Sequence, residues 1–196
     1  MKLTFLVLVA AMVFAGNYAM AGTSSGLKQE DPVYKAKRHV FALSNELNNQ
    51  TDYLSSHVQP ENIKATEAKF SKTAEKLFAA KTERVEIVNK RLEELLRKSQ
   101  ATTDDKKRSE IQNSINELYN DLYLIATPIE NQSAINGLAV RYPEIKKTIY
   151  AYNEENKRIE ALVKSRMDTI LKRAAAIGLR INSSGGTGVL SSSRVR

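Results

Sequence analysis

Four prolines divide this 196-residue chain, and each stands where a helix can begin. Pro32, Pro60, Pro128 and Pro143 each precede a stretch in which apolar side chains recur every three or four residues, the period of one helix face. Proline is tolerated at the first position of a helix because its missing N–H would have no partner there. The prolines therefore predict four helix starts.

The first two predicted helices are long. The first begins at Pro32, with Asp31 as its N-cap, and continues for about 26 residues. The second begins at Pro60 and continues to Ser99, roughly 60 Å at 1.5 Å per residue. Lys81 interrupts its apolar face, and the spacing of four plus four there is a stutter in a heptad pattern. The apolar face of the second helix comprises Phe70, Ala74, Leu77, Val85, Val88, Leu92 and Leu95.

The opposite face of the second helix is charged. Glu86 precedes Lys90, and Glu93 precedes Arg97, by one helical turn. This order of acid and base favours ion pairs on an exposed helix face. The face is therefore predicted to lie in solvent.

Capping signals predict two further helices. Thr102 with Asp105 is a variant of the capping box, and it predicts the start of a third helix. Thr127 with Glu130 is a threonine-to-glutamate capping box, and it predicts a short helical segment that stops near Gly137.

The last predicted helix opens at Pro143, and its core face runs from Ile145 to Ile177. Gly178 followed by Leu179 has the pattern of a glycine C-cap with its hydrophobic contact. No segment alternates apolar and polar residues as a half-buried strand does. The pattern predicts an all-α fold, an elongated antiparallel, coiled-coil-like helical bundle with about four main helices and one short helix. This bundle would form a single domain over residues 31–181.

Both ends of the chain differ from the bundle in composition. Residues 1–21 have the charged start, apolar core and small-residue cleavage site of a secretory signal peptide. A membrane anchor is the alternative, but the apolar run is short for a spanning helix. Residues 22–30 are predicted to be flexible, and residues 182–196 to form a disordered basic tail rich in Ser and Gly. The protein is thus expected to be secreted, or periplasmic if its source is bacterial.

The residue types that usually carry chemistry are scarce. The chain has no cysteine, and its two histidines, His39 and His57, would stand about 27 Å apart on one helix, too far to share a metal ion. Neither a nucleophile elbow, nor an H-E-x-x-H motif, nor a phosphate-binding loop is present. We therefore expect no catalytic residue, no cofactor and no metal site.

Five tyrosines are predicted to cluster around the turn between the third and the last long helix: Tyr119, Tyr123, Tyr142, Tyr150 and Tyr152. One interpretation is that they pack this corner and keep their hydroxyls in water. The other is that they form a patch that binds a partner, because tyrosine is enriched among interface anchors.

Asparagines provide the remaining candidate sites. Asn156 falls on the apolar face of the last helix, where a core amide can fix register or association state by requiring one hydrogen-bond partner. The alternative is that the helix rotates there and the side chain meets water. Asn49, Asn131 and Asn182 each begin a glycosylation sequon, which matters if the source is eukaryotic.

The formal net charge of +8 raises nucleic acid and anionic membranes as partners. Nucleic acid is not expected, because acidic residues share the basic faces and the chain is predicted to be exported. Our first hypothesis is a secreted, non-enzymatic helical protein that binds another macromolecule, most simply a protein, through exposed helix faces. Self-association through its heptad faces is a further option. The alternative is a bundle that binds lipid or a membrane surface, similar to the exchangeable apolipoproteins in general class only, or a periplasmic holdase chaperone in a bacterial source.

Overall fold

The computed structural model describes residues 30–56 and 58–182, and 87% of this part is helical with no strand in it. The described helices all belong to one compact unit, which begins at Asp31. These helices are α1 (Pro32–Ser55), α2 (Pro60–Ala101), α3 (Asp105–Ala126), α4 (Gln132–Arg141) and α5 (Lys146–Ala176), with a 3₁₀ turn at Pro143–Ile145 before α5. The prediction of an all-α helical bundle is confirmed.

Several predicted features fall on residues outside the described ranges. The predicted signal peptide (1–21), residues 22–29 of the predicted flexible segment and residues 183–196 of the predicted tail lie outside the described residues, as does His57. Asn182, the first residue of the predicted tail, is described, and its backbone N–H donates to Asn116 Oδ1 at 3.1 Å.

Local signals set the start of α1 and the end of α5 as predicted. Asp31 Oδ1 accepts a hydrogen bond from the N–H of Val33 at 2.7 Å, and Pro32 is the first residue of α1. At the other end Gly178 adopts a φ of 70°. The N–H of Leu179 then reaches the carbonyl of Ala174 at 2.9 Å and that of Gly178 reaches Ala175 at 3.0 Å, the two hydrogen bonds of a Schellman cap.

Two predicted N-caps are wrong. Asp104, not Thr102, caps α3, because its Oδ1 accepts from the N–H of Lys107 at 3.1 Å. The short helix begins at Gln132 and not at Pro128, with Asn131 as its cap, and it continues through Gly137 to Arg141. The predicted capping box fails because Glu130 is drawn into the core and is not available to cap a helix.

Helix α2 is the element on which the others pack. It contacts α1, α3 and α5, whereas α4 contacts α1 and α5. The predicted apolar face of α2 is buried throughout: Phe70, Ala74, Leu77, Val85, Val88, Leu92 and Leu95. The predicted exposed ion pairs give way to contacts between helices, since Glu86 pairs with Arg166 at 2.8 Å and Glu93 with Arg173 at 3.1 Å, both arginines on α5.

None of the helices within the described ranges combines the length and the apolar content that crossing a membrane requires.

Candidate functional site

The five tyrosines of the predicted cluster occupy different environments. Tyr119 and Tyr152 are buried, Tyr123 and Tyr142 are partly buried, and only Tyr150 is mostly exposed. Tyr142 donates its hydroxyl hydrogen to the carbonyl of Leu54 at 2.8 Å, which ties the end of α4 to α1. Because the two buried rings are out of reach of a partner, the five side chains do not present one continuous surface.

Tyr152 packs in the core against the rings of Phe70 and Phe78, at centroid distances of 5.8 and 5.3 Å. Gln132 Nε2 donates to its hydroxyl oxygen at 2.7 Å. Burial raises the pKa of Tyr152 to about 12, the nearby Glu130 carboxylate adds to the rise, and the amides of Asn156 and Gln132 partly offset it. The phenol is therefore a neutral structural group over the ordinary pH range.

Asn156 lies on the buried side of α5, where its amide acts on the hydroxyl of Tyr152, although its Nδ2 atom meets no described acceptor with the geometry of a full hydrogen bond. Of the three sequon asparagines, Asn49 is exposed on α1 and Asn182 is exposed after α5. Asn131 is exposed as well, but its Oδ1 caps α4 by accepting from the N–H of Ala134 at 3.1 Å.

A buried ion pair joins α2 to the linker between α3 and α4. Lys81 Nζ lies 3.0 Å from Glu130 Oε1, and the two side chains are 2% and 0% exposed. Ser44 on α1 donates to the same oxygen at 2.9 Å. The pair thus holds three elements together at the position where the heptad pattern of α2 is interrupted.

A second buried cation lies one turn further along α2. Arg84 is 3% exposed, and its Nη2 lies 2.6 Å from Asp121 Oδ1 on α3. Lys37 on α1 reaches the same carboxylate oxygen at 3.2 Å. Asp121 therefore links α2 and α1 to α3, as Glu130 links α2 and α1 to the following linker.

Above these ion pairs an open groove runs between α1 and α3. Four large apolar side chains on its walls are about half exposed: Tyr34 at 56%, Phe41 at 52%, Leu124 at 51% and Ile129 at 46%. Arg84, Lys37, Arg38 and Thr127 complete the lining, and the volume of the groove is about 530 Å³. We call this surface the α1/α3 groove.

The α1/α3 groove gathers half of the large exposed apolar side chains in the described part of the chain, the others being Tyr53, Val140, Tyr150 and Leu171. Its charged lining residues, Lys37, Arg38 and Arg84, are all basic. The guanidinium of Arg38 stacks on the ring of Tyr34, 5.5 Å from its centroid. The groove therefore combines apolar walls with positive charge.

The sequence pattern does not identify this groove. Tyr34 and Phe41 stand seven residues apart, one step outside the core stripe of α1, and this spacing is the one signal that could have marked them. Leu124 directly precedes the core residue Ile125 of α3 and Ile129 lies in a linker, so neither carries a pattern of its own.

Comparisons of the chain with protein-family models, with curated proteins and with solved structures find no match. In residues 30–56 and 58–182, no three or more His, Asp or Glu side chains come together as a metal site would require. The α1/α3 groove, with its exposed apolar walls and basic lining, is the candidate functional site.

Proposed function

We propose that this protein acts without catalysis, by binding another protein through exposed helix faces, and that the α1/α3 groove is the main contact surface. The observation that carries the proposal is the concentration of half-exposed apolar side chains on the facing walls of two helices. Exposed apolar residues scattered singly need no explanation, whereas a contiguous patch rimmed by polar groups is typical of a binding surface.

Ion pairs fix several of the residues in and around the groove. Glu130 is fixed by Lys81, and this contact positions the linker residues that carry Ile129 at one end of the groove. Asp121 is held by Arg84 and Lys37 beneath the walls. Because its supports are buried or paired, the groove offers a preformed surface, and little ordering is needed when a partner binds.

The concave shape favours a protein partner over a lipid surface. A membrane-binding helix presents a continuous apolar face that can enter the headgroup region. Here the apolar residues of two helices face a shared depression, and a buried arginine lies on its floor. An apolar ridge of a partner, such as one face of a helix, fits that arrangement.

A photo-crosslinking pair tests the proposal. The photoreactive residue p-benzoylphenylalanine is placed at Phe41, in the groove, and in a second protein at Leu171, an exposed apolar position on α5. In the medium of the producing organism, we expect the protein with the photoreactive residue at position 41 to form a discrete adduct with another protein, and the protein with it at position 171 to form none. Unlabelled protein should compete with it, and unlabelled Phe41→Ser protein should not.

Two outcomes would overturn the proposal. Equal labelling from both positions would mean that contacts are unspecific. Flotation of the protein with vesicles, accompanied by a gain of helix in circular dichroism, would favour the lipid-binding alternative.

The proposal also places the protein outside the cytoplasm, because residues 1–21 have the composition of a secretory signal peptide. N-terminal sequencing of the mature protein should begin at or near Gly22. Retention of Met1 in a membrane fraction would contradict this placement.

A further inference from the structure

We infer that this protein forms a weak homodimer through a second surface, which consists of the exposed face of α4 and the first turns of α5. Ser133, Asn136, Gly137 and Val140 are exposed on α4, and Tyr150 is exposed beside them on α5. We call this the α4/α5 surface. The depression in it shares no lining residue with the α1/α3 groove, so the dimer and the proposed function are independent of each other.

The exposed face of α4 lacks charge. Charged residues make up 27% of the chain, but none occurs in residues 131–140, the longest uncharged run within the described ranges. Burial does not explain their absence, because Ile135 and Leu138 are the only buried residues of α4. The exposed faces of α2 and α5, by contrast, carry many charged side chains. Depletion of charge on an exposed face is typical of the centre of a protein interface.

An apolar side chain projects from the α4/α5 surface beside a depression. Val140 is 85% exposed, the highest value among the large apolar side chains of the described ranges. The depression has a volume of about 510 Å³, and Pro143, Ile149 and Tyr150 contribute to its lining. Its one charged lining residue is Lys146, whose Nζ lies 5.5 Å from the centroid of the Tyr150 ring. The surface thus carries both an apolar projection and a largely uncharged depression that can receive one.

A second copy of the chain fits this surface. A two-fold axis beside Val140 would place the Val140 side chain of each copy in the depression of the other, so that the same favourable contact is made twice. Gly137 lies one turn before Val140, and its lack of a side chain allows the two α4 helices to approach closely. Two copies with a formal net charge of +8 each repel one another, and an uncharged surface is where they can meet with the least repulsion.

The size of the surface sets the strength of the dimer. Helix α4 has 10 residues and is therefore about 15 Å long, so the contact area is small. Interfaces that bury less than about 1,200 Å² in total are typically weak and transient. We expect a dissociation constant on the order of 10–100 μM. The dimer should become stronger as the salt concentration rises, because salt screens the repulsion between the two positively charged copies.

Sedimentation velocity over a range of protein concentrations, at low and high salt, tests the dimer. The first variant is Gly137→Arg. An added Cβ at Gly137 meets no described atom within 4 Å, so the variant should fold, but its side chain should block the second copy and weaken the dimer about tenfold or more. The matched control is Ala175→Arg, which adds the same charge at an exposed position of α5, roughly 37 Å along the helix from Tyr150. It should leave the dimer unchanged, and melting curves check that both variants are folded.

Crosslinking tests the position of the contact. Because the chain has no cysteine, one engineered cysteine provides a unique reactive site. The proteins Val140→Cys and Leu171→Cys, both substituted at exposed apolar positions, are treated with a short bismaleimide crosslinker. We expect a covalent dimer from Val140→Cys, in a yield that rises with protein concentration, and little or none from Leu171→Cys.

Three results would each overturn the dimer through the α4/α5 surface: a monomer at every concentration and salt, equal dimerisation of wild type and a folded Gly137→Arg, or equal crosslinking from the two cysteine variants. Self-association that Phe41→Ser abolishes and Gly137→Arg leaves intact would assign the contact to the α1/α3 groove instead. A dimer that salt weakens would mean that ion pairs between other surfaces hold it. A monomer that still gives the photo-adduct from position 41 would remove only the dimer, and a dimer without that adduct would remove only the proposed function.

Discussion

Substitution of Lys81 by methionine should destabilise the protein strongly, because it leaves a carboxylate in the core without its counter-ion. The side chain of Glu130 is 0% exposed, and without Lys81 its remaining partner is the hydroxyl of Ser44. Removing one member of a buried pair typically costs about 3–5 kcal/mol. For a domain of this size, 1 kcal/mol corresponds to about 2–4 °C, so the melting temperature should fall by about 6–20 °C.

The assay is thermal and urea unfolding, followed by circular dichroism. Lys157→Met is the matched control, because Lys157 forms an ion pair with Glu154 at 2.6 Å with both side chains mostly exposed. It should leave the melting temperature nearly unchanged, since exposed pairs contribute little. The double variant Lys81→Met with Glu130→Gln should regain most of the loss, because a glutamine can still accept from Ser44 and carries no charge.

Two results would refute this reasoning. If Lys81→Met were as mild as Lys157→Met, the Lys81–Glu130 pair would not contribute to stability as its burial implies. If the double variant lost as much stability as the single variants Lys81→Met and Glu130→Gln added together, the two side chains would contribute to stability independently.

Three further predictions concern single residues. Gly178→Ala should lower the free energy of unfolding by about 1 kcal/mol because of its φ of 70°, whereas Gly137→Ala inside α4 should raise it by about 0.5–1 kcal/mol. An added Cβ meets no described atom within 4 Å at either site, so equal effects of the two substitutions in urea unfolding would contradict the backbone argument. The stability that comes from the raised pKa of Tyr152 should be fully present below pH 10 and lost between pH 10 and about 12, because the phenol of the unfolded chain ionises first. Tyr152→Phe should remove this part of the pH dependence of stability, and an identical pH dependence in the variant would argue against the raised pKa. Asn156→Leu should raise the melting temperature and produce larger assemblies on a sizing column, since it removes a buried amide whose Nδ2 makes no hydrogen bond of full geometry. Lower stability with unchanged elution would disprove this.

The predictable part of the fold depends on local signals. Asp31 before Pro32 marks the start of α1, and Gly178 before Leu179 marks the end of α5, because each cap is built from residues close in sequence. Apolar periodicity likewise locates the core faces, since burial on one face of a helix follows from its period.

Long-range pairs explain where prediction failed. Glu130 has the spacing of a capping residue, but Lys81, 49 positions earlier, binds it in the core. Glu86 has a basic residue one turn later in Lys90, yet it pairs with Arg166. In each case the local interaction that the sequence predicts is replaced by a contact with a distant residue, which comes close only because α5 or the linker packs on α2.

The groove was unpredictable for a related reason. Tyr34 and Leu124 belong to α1 and α3, which both pack on α2. Their separation across the groove depends on how these two helices lie on the third. Periodicity describes the faces of a helix, and it contains no information about that placement.

The buried position of Glu130 has a consequence for protein engineering. Surface loops usually accept added residues at little cost, and they are the usual places for tags and inserted domains. The linker after α3 should reject them, because a change in its length would move the carboxylate away from Lys81. Thr103 is exposed in the short connection between α2 and α3, and we expect an inserted fluorescent protein or epitope to be tolerated there instead.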